Sequence, residues 1–381
     1  MRILLIGEYS RLHNSLKEGL QKLGHEVTLI GTNDGFKNLP VDYNYSATFF
    51  TKSWIRPVVK VIAKLTTINL IKVEHAYRFN KFVPILKGYD IVQLINENSI
   101  KTHPFLEIKL LKKIFSSNTN VFLMSCGADH ISVKYAFDGH FRYSILTPLK
   151  ENNSLKKNYQ FILRYLNKPY IKLHKFVYQN VRGVIASDLD YHIPLEGHSK
   201  YLGMIPNPIN IDSIPFFTKE NTNPIVIFHG VNASNYIKKG NRFFDEALRI
   251  VKDKFGDKVE IISTSNLAYN YFLDTLNRCH IYLDQVYAYD QGFAALEAMA
   301  KGIVVFTGAE KEWLNYYNLD EDKVAINALP NSQNVADKLE MLIVNPELLK
   351  SISTNACNFI EKEHHYVKIA QMYLDTWNAQ S

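Results

Sequence analysis

Tyr289-Asp290-Gln291-Gly292-Phe293-Ala294-Ala295-Leu296-Glu297-Ala298-Met299-Ala300-Lys301-Gly302 is the stretch whose reading decides the fold. It reads as a loop, a glycine at a helix start, one buried helix and a stopping glycine. His280 to Leu283 before it alternate like the end of a strand. Ile303-Val304-Val305-Phe306 after it is a continuous apolar run, as expected of a parallel strand buried on both faces. The unit is therefore a βαβ crossover, and its loop lies at the carboxyl end of a strand, where open α/β sheets bind ligands. The amides of Gly292, Phe293 and Ala294 are expected to point outward from the helix start and attract a phosphate. Glu297 follows about one turn later, where its carboxylate can accept bonds from two neighbouring sugar hydroxyls, much as dinucleotide folds use an acid on a ribose. A solvated helix glutamate fits the same position. Its neighbours Leu296, Ala298 and Met299 leave it little polar company, which favours a role.

Length and composition bound the rest. A chain of 381 residues is too long for one compact core and suits two domains. The 46% hydrophobic and 21% charged content, without repeats or low-complexity segments, is that of a globular protein. Cys126, Cys279 and Cys357 are odd in number and far apart, so neither a disulfide framework nor a metal spacing follows, and a reducing compartment is expected. The apolar start meets Glu8 at once and reads as a first buried strand, too short for a signal peptide. No stretch reaches the roughly 18 uninterrupted apolar residues of a spanning helix.

Charge is uneven. Residues 1–215 carry a net +12 and residues 216–381 a net −5. Two runs hold much of the excess: Lys52 to Lys87, with Glu74 as the one acid, and Lys150 to Arg182, with Glu151 as the one acid. Such a half suits an anionic membrane surface or a phosphorylated acceptor, and equally a set of solvated helix faces. No nucleic-acid-binding module accompanies the charge, so nucleic acid is not an expected partner.

The α/β rhythm runs from the first residue. Residues 2–6 read as a strand, Leu12, Leu16, Leu20 and Leu23 as one helix face, and Val27 to Ile30 as a second strand. The first turn, Gly7 to His13, lacks G-x-G-x-x-G, which argues against a nicotinamide or flavin enzyme. Asn120 to Met124 is a strand ending in Ser125-Cys126-Gly127-Ala128-Asp129-His130, where an acid and a histidine suit chemistry, while a capping Asp and a hydrogen-bonded His fit as well. One long helical stretch is expected over about 155–180. Pro206-Asn207-Pro208 stops regular structure and marks a domain boundary. The rhythm restarts at Pro224 to Phe228, followed by a polar loop from His229 to Gly240. Lys239, a movable point charge beside a helix start, is the candidate diphosphate partner.

Together these pieces resemble the GT-B glycosyltransferases, specifically the large retaining family 4. Gly292 to Gly302 is similar to that family's G-x-x-x-x-E-A-M-A-x-G. His229-Gly230 with Lys239-Gly240 resembles its sugar-nucleotide loop, Ile205 to Asp212 its I-P-N-P linker, and Asp284-Gln285 the D-Q pair of a subset. The resemblance implies an α/β GT-B fold of two Rossmann-like domains facing across a cleft. Residues 1–205 would bind the acceptor, joined by a C-terminal helix at about 364–381, and residues 206–363 would bind the nucleotide sugar. Glu297 would hold the ribose. Lys239, Gly292, Phe293 and Ala294 would hold the diphosphate, with Asp290, Gly230 and Asn232 beside the donor. Asp129 and His130 stand where the family contacts the transferred sugar and are the catalytic candidates; Glu8, Tyr9, Ser10 and His13 would meet the acceptor.

Two departures stand out. Tyr289 occupies the place of the family's usual acid, with Asp290 one residue later. The phosphate loop lacks its usual Arg, leaving Lys238, Lys239 and Arg242 to carry the charge. The implied function is retaining transfer of a sugar from a nucleotide-sugar donor to a glycan or lipid-linked acceptor in surface polysaccharide or lipopolysaccharide assembly. No cofactor is expected, since the nucleotide sugar is a substrate. No metal is expected either: Asp188-Leu189-Asp190 has the D-x-D spacing but reads as an ordinary turn. The expected location is the cytoplasm, at the inner face of the plasma membrane. A sugar-nucleotide epimerase and a non-catalytic, glycosyltransferase-like binding subunit are the rival readings.

Overall fold

In the computed structural model, which describes residues 1–66, 68–216 and 223–380, two parallel sheets stand side by side. The first contains β1 (Arg2–Ile6), β2 (Glu26–Gly31), β3 (Tyr43–Asn44), β4 (Ile91–Leu94), β5 (Val121–Ser125), β6 (Val184–Ala186) and β7 (Tyr201–Met204), in the order β3-β2-β1-β4-β5-β6-β7. The second contains β8 (Ile225–Val231), β9 (Val259–Ser265), β10 (Ile281–Leu283), β11 (Val304–Thr307) and β12 (Ile326–Asn327), in the order β12-β11-β10-β8-β9. Both are doubly wound, and each has a point where strand order reverses: between β1 and β4 in the first sheet, and between β8 and β10 in the second. Ligands of such folds bind outside the strand ends at these points.

The strands read as unbroken apolar runs because both faces are covered. In β1, Ile3 and Leu5 point to one side and pack with Leu12, Leu16 and Leu20 of helix Leu12–Lys22. Leu4 and Ile6 point to the other side, with Phe79, Leu110 and Leu111. In the second sheet, Ile227 and Leu283 meet Phe244, Leu248 and Val251, while Phe228 and Tyr282 meet Leu296 and Met299 of helix Phe293–Ala300.

The chain crosses between the sheets twice, and the crossings run together. Ile209 donates its N–H to His364 O at 2.8 Å, and Tyr366 donates to Ile209 O at 3.1 Å. Beyond this bridge, helix Tyr366–Asn378 lies on the first sheet against helix Leu12–Lys22. The approach is close enough that a Cβ on Gly19 would sit 2.3 Å from Tyr366 O. Trp377, fully buried, donates Nε1–H to Gln93 Oε1 on β4 at 3.0 Å. Ser381, the end of the expected last element, lies outside the described residues.

Two expectations need correction. The single helix over about 155–180 is instead a 3-10 turn Asn153–Tyr159, a helical turn Gln160–Leu163, a 3-10 turn Arg164–Leu166 and a helix Lys168–Asn180. Pro169 lacks an N–H and disfavours helical backbone just before it, so it opens a new helix rather than continuing an old one. Strand β8 also runs on to Val231, so His229 and Gly230 are strand residues rather than loop residues.

Candidate functional site

The strand-end loops of both sheets face each other across a seam. Helix Phe293–Ala300 starts at Gly292 with no side-chain cap, so its first amides have no side chain of their own to bond. Space in front of Gly292 is open: the nearest atoms to a Cβ there would be Asp284 Oδ2 at 3.8 Å and Gln285 Nε2 at 3.9 Å. Asp284 joins this helix start to Lys239, whose Nζ lies 2.7 Å from Asp284 Oδ1. Lys239 is held by a tight loop end. Gly240 has φ +70, and a Cβ on it would stand 2.1 Å from Val286 Cγ2, so only glycine fits there. The structure thus brings Lys239, Gly292, Phe293 and Ala294 to one place, at the order reversal between β8 and β10.

One turn into the helix, Glu297 is buried, and Tyr269 OH donates to both of its carboxylate oxygens at 3.2 Å. Burial pushes its carboxyl up, and Lys37, Tyr269 and Arg11 draw it back down. Lys37 and Arg11 belong to the first sheet's domain, so Glu297 faces the seam between the two halves. Lys37 Nζ also lies over the Tyr269 ring, 5.6 Å from its centroid. Tyr269, Lys37 and Arg11 were not singled out by sequence reasoning. The one available signal was that Arg11 and Lys37 are basic residues in loops following β1 and β2.

Asn232 spends its side-chain carbonyl on its own loop, accepting from Ser234 N at 3.0 Å, and Gly230 of β8 is paired with Thr264 of β9. Asp290 turns away from Lys239 toward the first domain. It accepts from Leu189 N at 3.1 Å and from Gln291 N at 2.7 Å. In return, Asp190 accepts from Tyr289 N at 3.2 Å. Asp188 and Asp190, half-buried, and Asp290, buried, form a group in which desolvation raises every carboxyl, and Asp188 is raised further by the other two. The Asp188-Leu189-Asp190 stretch is therefore no ordinary turn: it caps helix Leu189–Leu195 at the end of β6 and interlocks with the loop after β10. Among the described residues, no group of three or more His, Cys, Asp or Glu is arranged to hold a metal ion. Tyr289 also serves the seam. Its hydroxyl accepts from Arg142 N at 2.9 Å, its ring lies 4.7 Å from the Arg142 guanidinium, and that guanidinium reaches Glu310 and Glu312.

Beside this interlock lies a cavity of about 250 Å³, lined by Gly127, Ala128, Asp188, Tyr287, Gln291 and Gly292 among others. Gln291 Oε1 is buried there without a hydrogen-bond partner. The cavity therefore continues from the uncapped helix start into the first domain.

The two catalytic candidates do not face this cavity together. Asp129 caps helix His130–Asp138, accepting from Ser132 N at 2.7 Å and from Ser125 Oγ, so both of its oxygens are engaged. His130 points the other way: its Nδ1 lies 2.9 Å from Tyr165 O, and its ring lies 4.7 Å from that of His174. His174 in turn bonds the buried Glu97 at 2.6 Å. In the free protein Asp129 is thus engaged as a helix cap and His130 in a hydrogen bond to the backbone.

The expected acceptor residues also separate. Glu8 is buried, holds Asn14 N at 2.8 Å and Asn14 Nδ2 at 2.6 Å, and leaves Oε1 without a partner; burial pushes its carboxyl up to about 7. His13 is buried and neutral, its Nδ1 lying 2.7 Å from Gly7 O and its ionisation pushed down to about 3. It is a core residue. Tyr9 and Ser10 are the half-exposed members. Lys101 Nζ sits 4.3 Å from the Tyr9 ring centroid, and Ser10 N donates to Asp34 Oδ2 at 2.8 Å.

Comparison with known proteins fits this geometry. The family model described as glycosyl transferase-like matches residues 239–375, from the Lys239 loop to the last helix. The whole fold is similar to sucrose-phosphate synthase from Thermosynechococcus elongatus, with a TM-score of 0.63, 12% identity and 100% of each chain covered. It is similar to Anabaena HepE in complex with UDP-glucose, with a TM-score of 0.59, 14% identity and 100% of each chain covered. It is also similar to a protein of Listeria monocytogenes assigned as a UDP-N-acetylglucosamine 2-epimerase, with a TM-score of 0.56, 11% identity, and 98% of this chain and 94% of that one covered. Among curated proteins no sequence match is significant. The chain thus has the two-domain fold of the GT-B glycosyltransferases among these structures, and its residues 239–375 match the glycosyl transferase-like family model.

Proposed function

We propose that this protein transfers a sugar, with retention, from a UDP-type nucleotide sugar to the hydroxyl of a glycan or lipid-linked acceptor in surface polysaccharide or lipopolysaccharide assembly. One observation carries the reading. Glu297 faces the seam one turn inside a helix whose start is uncapped and open, and Lys239 is linked to that start through Asp284. This is the arrangement that holds a ribose at one end and a diphosphate at the other.

The chemistry follows from charge. As the bond between the sugar carbon and the diphosphate oxygen breaks, negative charge grows on the leaving phosphate. Fixed amides and an ammonium group stabilise it without reorganisation. Lys239 is paired with Asp284 before substrate arrives. A diphosphate would compete for that ammonium, and Arg11 and Lys37 supply further positive charge from the facing domain. The 250 Å³ cavity ahead of Gly292 is the place for the sugar.

Calorimetric titration with UDP-glucose and other nucleotide sugars tests the binding half of the proposal. A release assay for UDP, with and without added acceptor glycans, tests transfer. NMR of the product's anomeric centre tests retention. Conversion of the donor to its epimer without any acceptor would favour the epimerase reading, and binding without any turnover the non-catalytic one.

A further inference from the structure

Helix Arg56–Thr66 and the turn before it carry an apolar stripe that the described residues leave more than half exposed. Trp54, Val58, Val61 and Leu65 are 66%, 53%, 56% and 78% exposed. Steps of four, three and four residues put them on one side of the helix. The adjoining side, Val59 with Ile55, Ile62 and Ala63, packs on the protein. The helix is therefore apolar on two sides but covered on one. Its polar edge is wholly basic: Arg56, Lys60 and Lys64, with Lys52 in the turn before it. Among the described residues none of these four forms an ion pair.

The negative side is equally informative. No acid lies between Asp42 and Glu74. Glu74 itself is buried, its carboxylate taken up by the backbone N–H groups of Thr48, Phe49 and Phe50. The patch thus exposes large apolar side chains beside uncompensated cations, the composition of a helix lying in the interface of an anionic bilayer. We infer that the Trp54–Leu65 face docks this domain onto an anionic lipid surface.

The chain path ties the patch to the seam. Strand β3 ends on the same side of the sheet as β1, and the segment leaving it leads to Trp54. Tyr45, at the start of that segment, donates its hydroxyl to Ser99 O at 3.1 Å, and Ser99 O lies against Gly7, where the loop after β1 begins. Docking would therefore hold the acceptor-side loops close to the lipid. That use rests on the glycosyl-transfer reading; the docking does not.

The molecule carries its own probe, because Trp54 is exposed while Trp313 and Trp377 are fully buried. Phosphatidylcholine vesicles with and without phosphatidylglycerol are added to the full chain, and flotation, Trp emission and acrylamide quenching are followed. Binding, a blue shift and protection from quenching are expected with phosphatidylglycerol, weakening as salt rises. The V61D/L65D variant should float roughly tenfold less, with unchanged thermal unfolding, since both side chains are already in water. Its affinity for UDP-glucose in solution should match the wild type, which separates this inference from the donor reading. No response to phosphatidylglycerol vesicles, or equal binding to pure phosphatidylcholine, would overturn the inference. So would light scattering that shows the stripe joining two copies of the chain, with V61D/L65D restoring a monomer.

Discussion

Replacing Glu297 by alanine separates a ribose-binding carboxylate from a merely buried one. In the free protein its two oxygens share, among the described residues, one hydrogen-bond donor, Tyr269 OH, at 3.2 Å from each. A carboxylate has about four acceptor sites, so Glu297 has capacity for two sugar hydroxyls. A hydrogen bond to a charged group is worth about 1.5–3 kcal/mol, so Glu297→Ala should raise the Kd for a UDP-sugar by about 10- to 150-fold. Folding stability should change by no more than about 1 kcal/mol, because the lost Tyr269 bond is offset by relief of a desolvated charge. The decisive comparison is a cycle with a 2′,3′-dideoxy nucleotide measured by calorimetry. Wild type should prefer the ribonucleotide by the same factor that the mutation costs, and Glu297→Ala should bind both nucleotides equally. If the variant keeps the ribose preference, or its Kd stays within about twofold of wild type, the assignment of the ribose site fails.

Other perturbations test neighbouring parts of the account. Lys239→Met should weaken UDP-glucose by about tenfold or more while leaving uridine within about twofold in the same titration, because only the former carries the diphosphate. Gly240→Ala should destabilise the fold by about 1–3 kcal/mol in chemical denaturation, from its left-handed φ and the collision with Val286. Glu8 carries a pH prediction. Its carboxyl is raised from 4.5 to about 7 in the folded state, so its stabilising effect is complete below 4.5 and is lost as the pH climbs toward 7. Glu8→Gln should therefore gain about 1–3 kcal/mol over wild type at about pH 8 and nearly nothing at about pH 4, read from denaturation midpoints at both. Equal effects at the two pH values would refute the buried, protonated state.

Much of the fold was legible because parallel strands covered on both faces leave unbroken apolar runs. Leu4 to Ile6, Val304 to Phe306 and the glycine-bounded helix between β10 and β11 announced themselves in that way. Where local signals compete, reading failed: Pro169 divided what looked like one helix. The helix start at Gly292 and the Lys239 loop were legible because each is local in sequence. The seam was not. Asp188, Asp190 and Asp290 come together from positions about a hundred residues apart, and the backbone N–H groups that hold them cannot be seen in a string of letters. The same limit applies to Asp129: its spacing to Ser132 suits both a capping residue and a catalytic acid, and only the three-dimensional contacts show the cap. The outward stripe on helix Arg56–Thr66 is a similar case, since an apolar residue in a helix does not reveal whether anything will cover it.

The most direct test of the central claim is a crystal structure of the protein with a UDP-sugar bound. The account predicts both ribose hydroxyls within about 3.2 Å of the Glu297 carboxylate, and the diphosphate against the amides of Gly292 to Ala294 with Lys239 Nζ moved from Asp284 onto a phosphate oxygen. A nucleotide bound elsewhere, with Glu297 still bonded only to Tyr269, would contradict it.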